Sequence, residues 1–276
     1  MGRIAAVGVF DGVHRGHRYL IDQLRADAGQ CGLEPVAVTF RHHPLAVVSP
    51  GREPLRLTDG GTRRRMLMDA GVTAVIELDF DQQLRNMSAS EFMQMLRREH
   101  GVERLMLGFN NRIGHDRVGS AADYAAIGRG VGVTVDIARE YTGTGAPVSS
   151  SVIRNYLANG EIEAATCALG YPYGFNGEVV TGKQLGRTIG FPTANVEPPA
   201  GMQLPGSGVY AAHVTTADGT ARPAMLNIGH RPTVDGTGAP ISIEAHLIDF
   251  DGDLYGQNVT VSPVTRLRDE QRYPTL

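Results

Sequence analysis

The sequence predicts an α/β domain with a parallel sheet, followed by an all-β antiparallel domain. Three observations carry this. The chain has 276 residues, too many for one average domain and about right for two. Up to Gly170, short β-branched runs alternate with longer helical patterns, as crossover helices between parallel strands require. From Gly174 onward the runs are short and strand-like, Gly and Pro clusters separate them, and no long helix is evident.

In chain order, Ile4 to Phe10, Pro35 to Phe40, Ala74 to Leu78, Leu105 to Leu107 and Val133 to Ile137 read as strands. His17 to Ala28, Thr62 to Ala70, Ser90 to His100 and Ala121 to Arg129 read as helices between them. Glu178 to Thr181, Val209 to Thr215, Ala224 to Ile228, Ile241 to Leu247 and Val259 to Val264 then read as the strands of an antiparallel barrel or sandwich. The expected domains are 1–169 and 174–276, hinged at Gly170 to Gly174 (GYPYG).

Composition narrows the function. Net charge is -3 and no basic run occurs, which argues against a nucleic-acid or membrane-surface binder. The N-terminus MGRIAAVGVF reads as a first strand and not as a signal peptide, and no apolar run is long enough to span a membrane. Cys31 and Cys167 lack metal-type spacing and fit a reducing compartment and small buried side chains. These features describe a cytoplasmic protein with small-molecule substrates and no evident obligate protein partner. Lys183 is the only lysine among 26 basic side chains, a bias read as genomic that still makes a lysine in a glycine-rich loop worth inspecting.

Gly8 to Ile21 reads GVFDGVHRGHRYLI, a strand ending at Phe10, a turn at Asp11 and Gly12, and a helix beginning near His14. His14 and His17 can face one point at the first helical turn, where free N–H groups and the positive dipole end make an anion site. Gly12 and Gly16 allow close approach of a nucleotide. A metal pair or two surface histidines is the bland alternative, which placement between first strand and first helix disfavours. Val148 to Leu157 reads VSSSVIRNYL. One of Ser149, Ser150 and Ser151 caps a helix, and Arg154, a turn further on, can grip a phosphate bidentately. Together the two segments read as a two-sided triphosphate clamp.

Val180 to Val196 reads VTGKQLGRTIGFPTANV. Gly182, Gly186 and Gly190, with Lys183 and Arg187 among them, form a loop able to wrap a phosphate chain. Pro192 stiffens the chain before Thr193 and Asn195, whose hard oxygens suit Mg²⁺ with bound phosphates. On Ile241 to Leu247, Glu244 and His246 share one strand face, opposite Ile243, Ala245 and Leu247. A glutamate there at a barrel mouth can take a proton from an attacking hydroxyl, or is simply an exposed strand residue.

The GVFDGVHRGH segment resembles the Rossmann-like nucleotidylyltransferase superfamily. Within it, the segment is similar to the N-terminal domain of bacterial bifunctional riboflavin kinase/FAD synthetases. The serine run followed by Ile153 and Arg154 matches that family's second phosphate segment. The resemblance implies in-line attack by the FMN phosphate on the α-phosphorus of ATP, with magnesium, releasing pyrophosphate. It assigns Gly8, Phe10, Asp11, Gly12, His14, Gly16, His17, Ser149, Ser150, Ser151 and Arg154 to that ATP. It assigns Phe40, His43, Pro44, Asn110 and Asn111 to the flavin. FRHHP differs from the family's Phe-x-Pro-His-Pro at His42. GFNNRIG has Asn110, Asn111 and Ile113 in place of an acid and two aromatics.

The later blocks, with NIGHRPT and IEAHLIDFDGDLYG, resemble the family's riboflavin kinase domain. That implies Thr193 and Asn195 on Mg-ATP, and Glu244 as general base for the ribityl 5′-hydroxyl. Arg268 and Glu270 match a segment that covers the flavin. Family chains continue into a final helix beyond the point where this sequence stops, so that helix is expected to be cut away or absent. The whole implies a two-step enzyme handling riboflavin, FMN, FAD and ATP. Two alternatives stand beside it: a riboflavin kinase whose first domain has lost or changed its acceptor, and a non-enzymatic flavin- or RNA-binding regulator.

Overall fold

In the computed structural model, residues 2–116, 118, 120–143, 145–182, 192–230 and 241–271 are described. The chain forms two compact units. One comprises Met1–Pro54 and Thr58–Val148, the other Leu55–Leu57 and Ser149–Leu276.

The first unit runs β1 (Arg3–Val7), α1 (Arg15–Cys31), β2 (Glu34–Phe40), α2 (Leu45–Val48), α3 (Gly60–Asp69), β3 (Ala74–Leu78), α4 (Gln82–Arg85), α5 (Ala89–His100), β4 (Val102–Leu107), α6 (Ala121–Val131) and β5 (Thr134–Ile137). The five strands form one sheet in the order β3-β2-β1-β4-β5, with every neighbouring pair parallel. Strand alternation sends Ile4 and Ala6 to a core with Leu20, Ile21 and Leu24 of α1 and Leu67 of α3. Ala5 and Val7 go to the opposite core, with Phe92, Met93 and Leu96 of α5 and Tyr124 of α6. The strand order reverses between β1 and β4, which opens a crevice beyond their carboxyl ends.

The first strand stops at Val7 and not at the expected Phe10. Phe10 has φ 53°, which no extended strand accommodates. The strand ending at Leu107 begins earlier than expected, at Val102, and α1 begins with His14 as its N-cap.

The second unit contains α7 (Ser150–Ala158), α8 (Ile162–Leu169), β6 (Phe175–Val180), β7 (Ala194–Glu197), β8 (Gly208–Thr215), β9 (Ala221–His230), β10 (Ile241–Leu247) and β11 (Asn258–Arg268). Of the two all-β forms expected, the strands close a barrel, β10-β7-β6-β11-β8-β9, all antiparallel. Phe175, Tyr210, Leu226, Ile228, Ile243 and Val261 are buried in it. The α8 helix packs on β11, so the compact unit begins at Ser149, ahead of the GYPYG stretch. β7 lies where only a binding loop had been expected.

Both cysteines are exposed, against the expectation of buried ones. Cys31 ends α1, and Cys167 lies off the face of α8 that buries Ala165, Ala168 and Leu169. Among the described residues no helix is long and apolar enough to cross a membrane.

The α5 helix presents Phe92 beside the crevice, and a capping box fixes its start. Ser88 Oγ accepts from Glu91 N–H at 3.2 Å, and Ser88 N–H donates to Glu91 Oε2 at 2.8 Å. Ser88→Ala is expected to lower the unfolding free energy by about 1 kcal/mol in urea titration. An unchanged midpoint would show that this cap does not hold the helix.

Candidate functional sites

The turn between β1 and α1 has an unusual backbone. Phe10 (φ 53°), Gly12 (φ 79°) and Val13 (φ 33°) all lie in the left-handed region, where only glycine is comfortable. The turn delivers His14 to the helix cap, where its Nδ1 accepts from His17 N–H at 3.4 Å. The two imidazoles stack, with centroids 3.7 Å apart and planes 17° from parallel, and Phe10 meets His17 edge-on. Burial, and secondly the neighbouring His14, hold the His17 imidazole well below its ordinary pKa. Its Nδ1 is buried and has no hydrogen-bond partner among the described residues. An unsatisfied imidazole nitrogen beside the N–H groups and positive dipole end of a helix start suits an anion. A Cβ on Gly16 would lie 3.2 Å from the His14 ring, so the histidine pair leaves no slack there. Asp11 is buried and its Oδ1 accepts from Thr58 N–H at 3.2 Å.

Next to this turn, at the point where the strand order reverses, lies a cavity of about 260 Å³. Of the expected flavin residues, Phe40, Pro44 and Asn111 line it, and so does Gly8 from the ATP set. Asn110 is exposed and outside the lining, and His43 Nδ1 accepts from Leu45 N–H at 3.1 Å. Asn111 Nδ2 donates to the Val7 carbonyl at 2.5 Å, tying the loop after β4 to the end of β1. Phe80, Met87 and Phe92 supply much of the remaining apolar wall, with Arg85 and Arg112 at the exposed rim. Sequence reasoning missed Arg112 although it lies inside GFNNRIG, and missed Phe80, Met87 and Phe92 because the stretch from β3 into α5 carries no motif. Their shared signal was only a concentration of aromatic and Met side chains. Apolar walls with a few polar groups are what a flat heteroaromatic ligand needs.

In the second unit, Ser149 is the N-cap of α7, its Oγ accepting from Val152 N–H at 3.3 Å. Ser150 and Ser151 open the helix. Arg154 Nε donates to the Leu55 carbonyl at 2.6 Å.

On the barrel, β10 lies between β7 and β9, and Glu244 is opposite Asn195 on one side and Asn227 on the other. Residues opposite each other share a face. Asn195, Glu244 and Asn227 therefore form a polar row on the outer wall, while Ile243, Ala245 and Leu247 fill the inside. Glu244 thus stands on the wall and not at the mouth of the barrel. Ser242 Oγ donates to Glu244 Oε1 at 3.2 Å. His246 Nδ1 meets the Pro192 carbonyl at 2.8 Å. There a cavity of about 550 Å³ is lined by Pro192, Thr193, Phe250 and Tyr255, among others. A side chain on Gly182 would strike the Asn195 amide, so glycine is required at that position. Lys183, Gly186, Arg187 and Gly190 lie outside the described residues. Arg268 Nη1 donates to the Asp269 carbonyl at 3.0 Å, and the Glu270 carboxylate lies against Gly229. Asn227 and Ser242 were not anticipated. Their sequence signal was period-two spacing, for Ser242 on the strand that carries Glu244 and for Asn227 on a strand that pairs with it.

Comparison with known proteins matches residues 1–152 to the FAD synthetase family and residues 169–276 to the riboflavin kinase family. The bifunctional riboflavin kinase/FMN adenylyltransferase of Pseudomonas fluorescens is 38% identical over 283 residues, covering 100% of this chain and 88% of the relative. The protein of that name from Escherichia coli (strain K12) is 35% identical over 277 residues, with 100% and 87% covered. A crystal structure described as a macrolide-efflux protein from Streptococcus pneumoniae superposes with a TM-score of 0.89 at 29% identity, covering 100% of this chain and 89% of that one. With both family matches in one chain, and full-length relatives that carry both, this chain belongs to the bifunctional riboflavin kinase/FMN adenylyltransferase family.

Proposed function

We propose that the chain makes FMN from riboflavin and ATP, and FAD from FMN and ATP. The adenylyl step is assigned to residues 1–169 and the kinase step to residues 174–276. The observation that carries the reading is the adjacency, within the first unit, of the aromatic-walled cavity and the helix start bearing the stacked His14–His17 pair. In the first reaction a phosphate oxygen of FMN attacks the α-phosphorus of ATP. The bond from that phosphorus to the bridging oxygen breaks, and pyrophosphate leaves. His14 and His17 with the N–H groups of α1 hold the charged oxygens, so the work is positioning and charge stabilisation. Arg154 and the serines at the start of α7 are assigned to nucleotide phosphates. Phe40, Pro44 and Asn111 are assigned to the flavin.

In the second reaction the ribityl 5′-hydroxyl attacks the γ-phosphorus of ATP, its proton passes to a Glu244 carboxylate oxygen, and ADP leaves. Ser242 and the flanking Asn195 and Asn227 keep Glu244 in a polar setting. The hydroxyl of Thr193 and the amide oxygen of Asn195 are the hard donors that fit Mg²⁺ on the triphosphate. That ion, when bound, would neutralise phosphate charge. The same proposal takes the chain as a cytoplasmic enzyme acting on small molecules, without nucleic-acid, membrane or obligate protein partners; the net charge of -3 and the absence of a basic run favour small-molecule substrates over nucleic acid.

Riboflavin, ATP and Mg²⁺ incubated with the protein should yield FMN and FAD on chromatography. FMN alone would point to an altered acceptor in the first domain, and neither product would remove the enzymatic reading.

Replacing His14 and His17 together by alanine should abolish FAD formation while FMN still accumulates; equal loss of both products in a folded protein would sink the two-site assignment. Arg154→Ala removes a charge-assisted contact of about 1.5–3 kcal/mol and should slow FAD formation at least about tenfold. An unchanged rate at limiting ATP would remove Arg154 from the nucleotide site.

Glu244→Gln should lower riboflavin phosphorylation by about 10²–10⁴-fold and spare FMN adenylylation; a full kinase rate would move the base elsewhere. His17 also sets a pH dependence. Its folded pKa is depressed, so below about pH 6.5 the unfolded chain binds more protons, and its contribution to stability is lost as pH falls. Urea titrations from pH 7 to 5 should show wild-type stability falling more steeply than that of His17→Gln. Parallel slopes would mean that His17 is not held neutral.

A further inference from the structure

The left-handed turn that carries the histidine pair is bonded to Thr58, a residue distant in sequence. Thr58 is 7% exposed and makes three bonds to the turn. Its Oγ1 accepts from Gly12 N–H at 3.2 Å, its N–H donates to Asp11 Oδ1 at 3.2 Å, and its hydroxyl reaches the same oxygen at 3.5 Å. Thr58 is itself fixed in place. It directly precedes Asp59, the N-cap of α3, whose Oδ1 accepts from Thr62 N–H at 2.8 Å. From the same helix, Arg63 donates to the carbonyls of Val9 at 3.3 Å and Phe40 at 2.7 Å, steadying the approach to the turn.

We propose that Thr58 is a positioning residue for adenylyl transfer, which holds Asp11 and Gly12 so that the Phe10–Val13 turn presents His14 and His17 to the nucleotide. The proposal rests on reading this unit as the adenylyltransferase. It also changes the part played by Asp11. A bare carboxylate beside a triphosphate repels it. Asp11, engaged by Thr58, acts on the turn and not on a phosphate. Thr58 itself touches no reacting atom, and its effect passes through the backbone to the imidazoles. The turn needs such a restraint because Phe10 and Val13 are non-glycine residues at positive φ, a conformation that persists only where the surroundings over-determine it.

The test compares steady-state FAD formation and FMN formation in wild type, Thr58→Val and Thr58→Ser. Thr58→Val keeps the shape and the backbone bond but removes the Oγ1 that accepts from Gly12 N–H. It should lower kcat for FAD formation by about tenfold or more, the effect of losing one buried hydrogen bond. KM for FMN should stay within about twofold, because the aromatic cavity is untouched, and riboflavin phosphorylation should be unchanged. Thr58→Ser retains the hydroxyl and should restore kcat. Thr58→Ala takes the place of Thr58→Val if the latter does not fold. Wild-type kcat in the hydroxyl-free variant overturns the proposal. So does a Thr58→Ser enzyme as slow as Thr58→Val, or a parallel loss of both products. A wild-type chain that makes FMN but no FAD removes the adenylyltransferase reading itself, which is a different failure.

Discussion

The constraint on which the first site depends is the left-handed backbone of Phe10, Gly12 and Val13. Residues held in sparsely populated conformations cost about 1–3 kcal/mol each, so two such non-glycine positions within one turn must be offset nearby. The offset is visible in burial. Phe10 and Val13 are both completely buried, and burying side chains of this size contributes about 1.5–3 kcal/mol apiece. The hydrophobic core on that side of the sheet thus supports an unfavourable turn. The turn in turn points the first N–H groups of α1 and both imidazoles at one place. Straightening it would extend β1, as the sequence pattern invites, and would carry His14 away from the helix cap.

A different constraint governs the barrel. Eight strands leave an interior just wide enough for side chains or one small ligand, so six leave no room for substrate. Phe175, Tyr210, Leu226 and Ile243 are among the side chains buried there. Polar groups can then work only on the outer wall and at the edges of strands. That is where Asn195, Glu244 and Asn227 stand in register. Such a wall needs no loop to position it, because ladder bonds on both sides of β10 fix the spacing of the row.

Much of this was legible in the sequence where local pattern and tertiary outcome agree. Ala74–Leu78 and Ile241–Leu247 are strands at the bounds their alternation marks, and three serines before a periodic segment do cap a helix at Ser149. The rest failed for physical reasons. Phe10 looks like a strand residue because it is large and apolar, and only its packing shows that it turns. β7 was hidden because PTAN contains the chemistry that drew attention to it. α2 and α4, four residues each, are shorter than any helical period can reveal. Thr58 belongs to no motif and meets Asp11 across 47 positions of chain, a contact that no window reads. The row around Glu244 depended on strand register, which alternation implies only once the pairing partners are known.

The chain passes from one compact unit to the other after Pro54, returns after Leu57, and leaves again after Val148. The three-residue excursion is bonded within the second unit. Arg56 N–H donates to Gly201 O at 2.7 Å, and Gln203 N–H donates to Arg56 O at 2.8 Å. The second unit is therefore not continuous in sequence. A gene cut once between codons 58 and 148 separates Arg56 from the Gly201 and Gln203 backbone groups it bonds in the intact chain. Exchange of either half between relatives, by recombination or by an engineer, has to carry a matched pair of segments far apart in sequence. That requirement gives the tandem arrangement an inertia that its two separate chemistries would not by themselves impose.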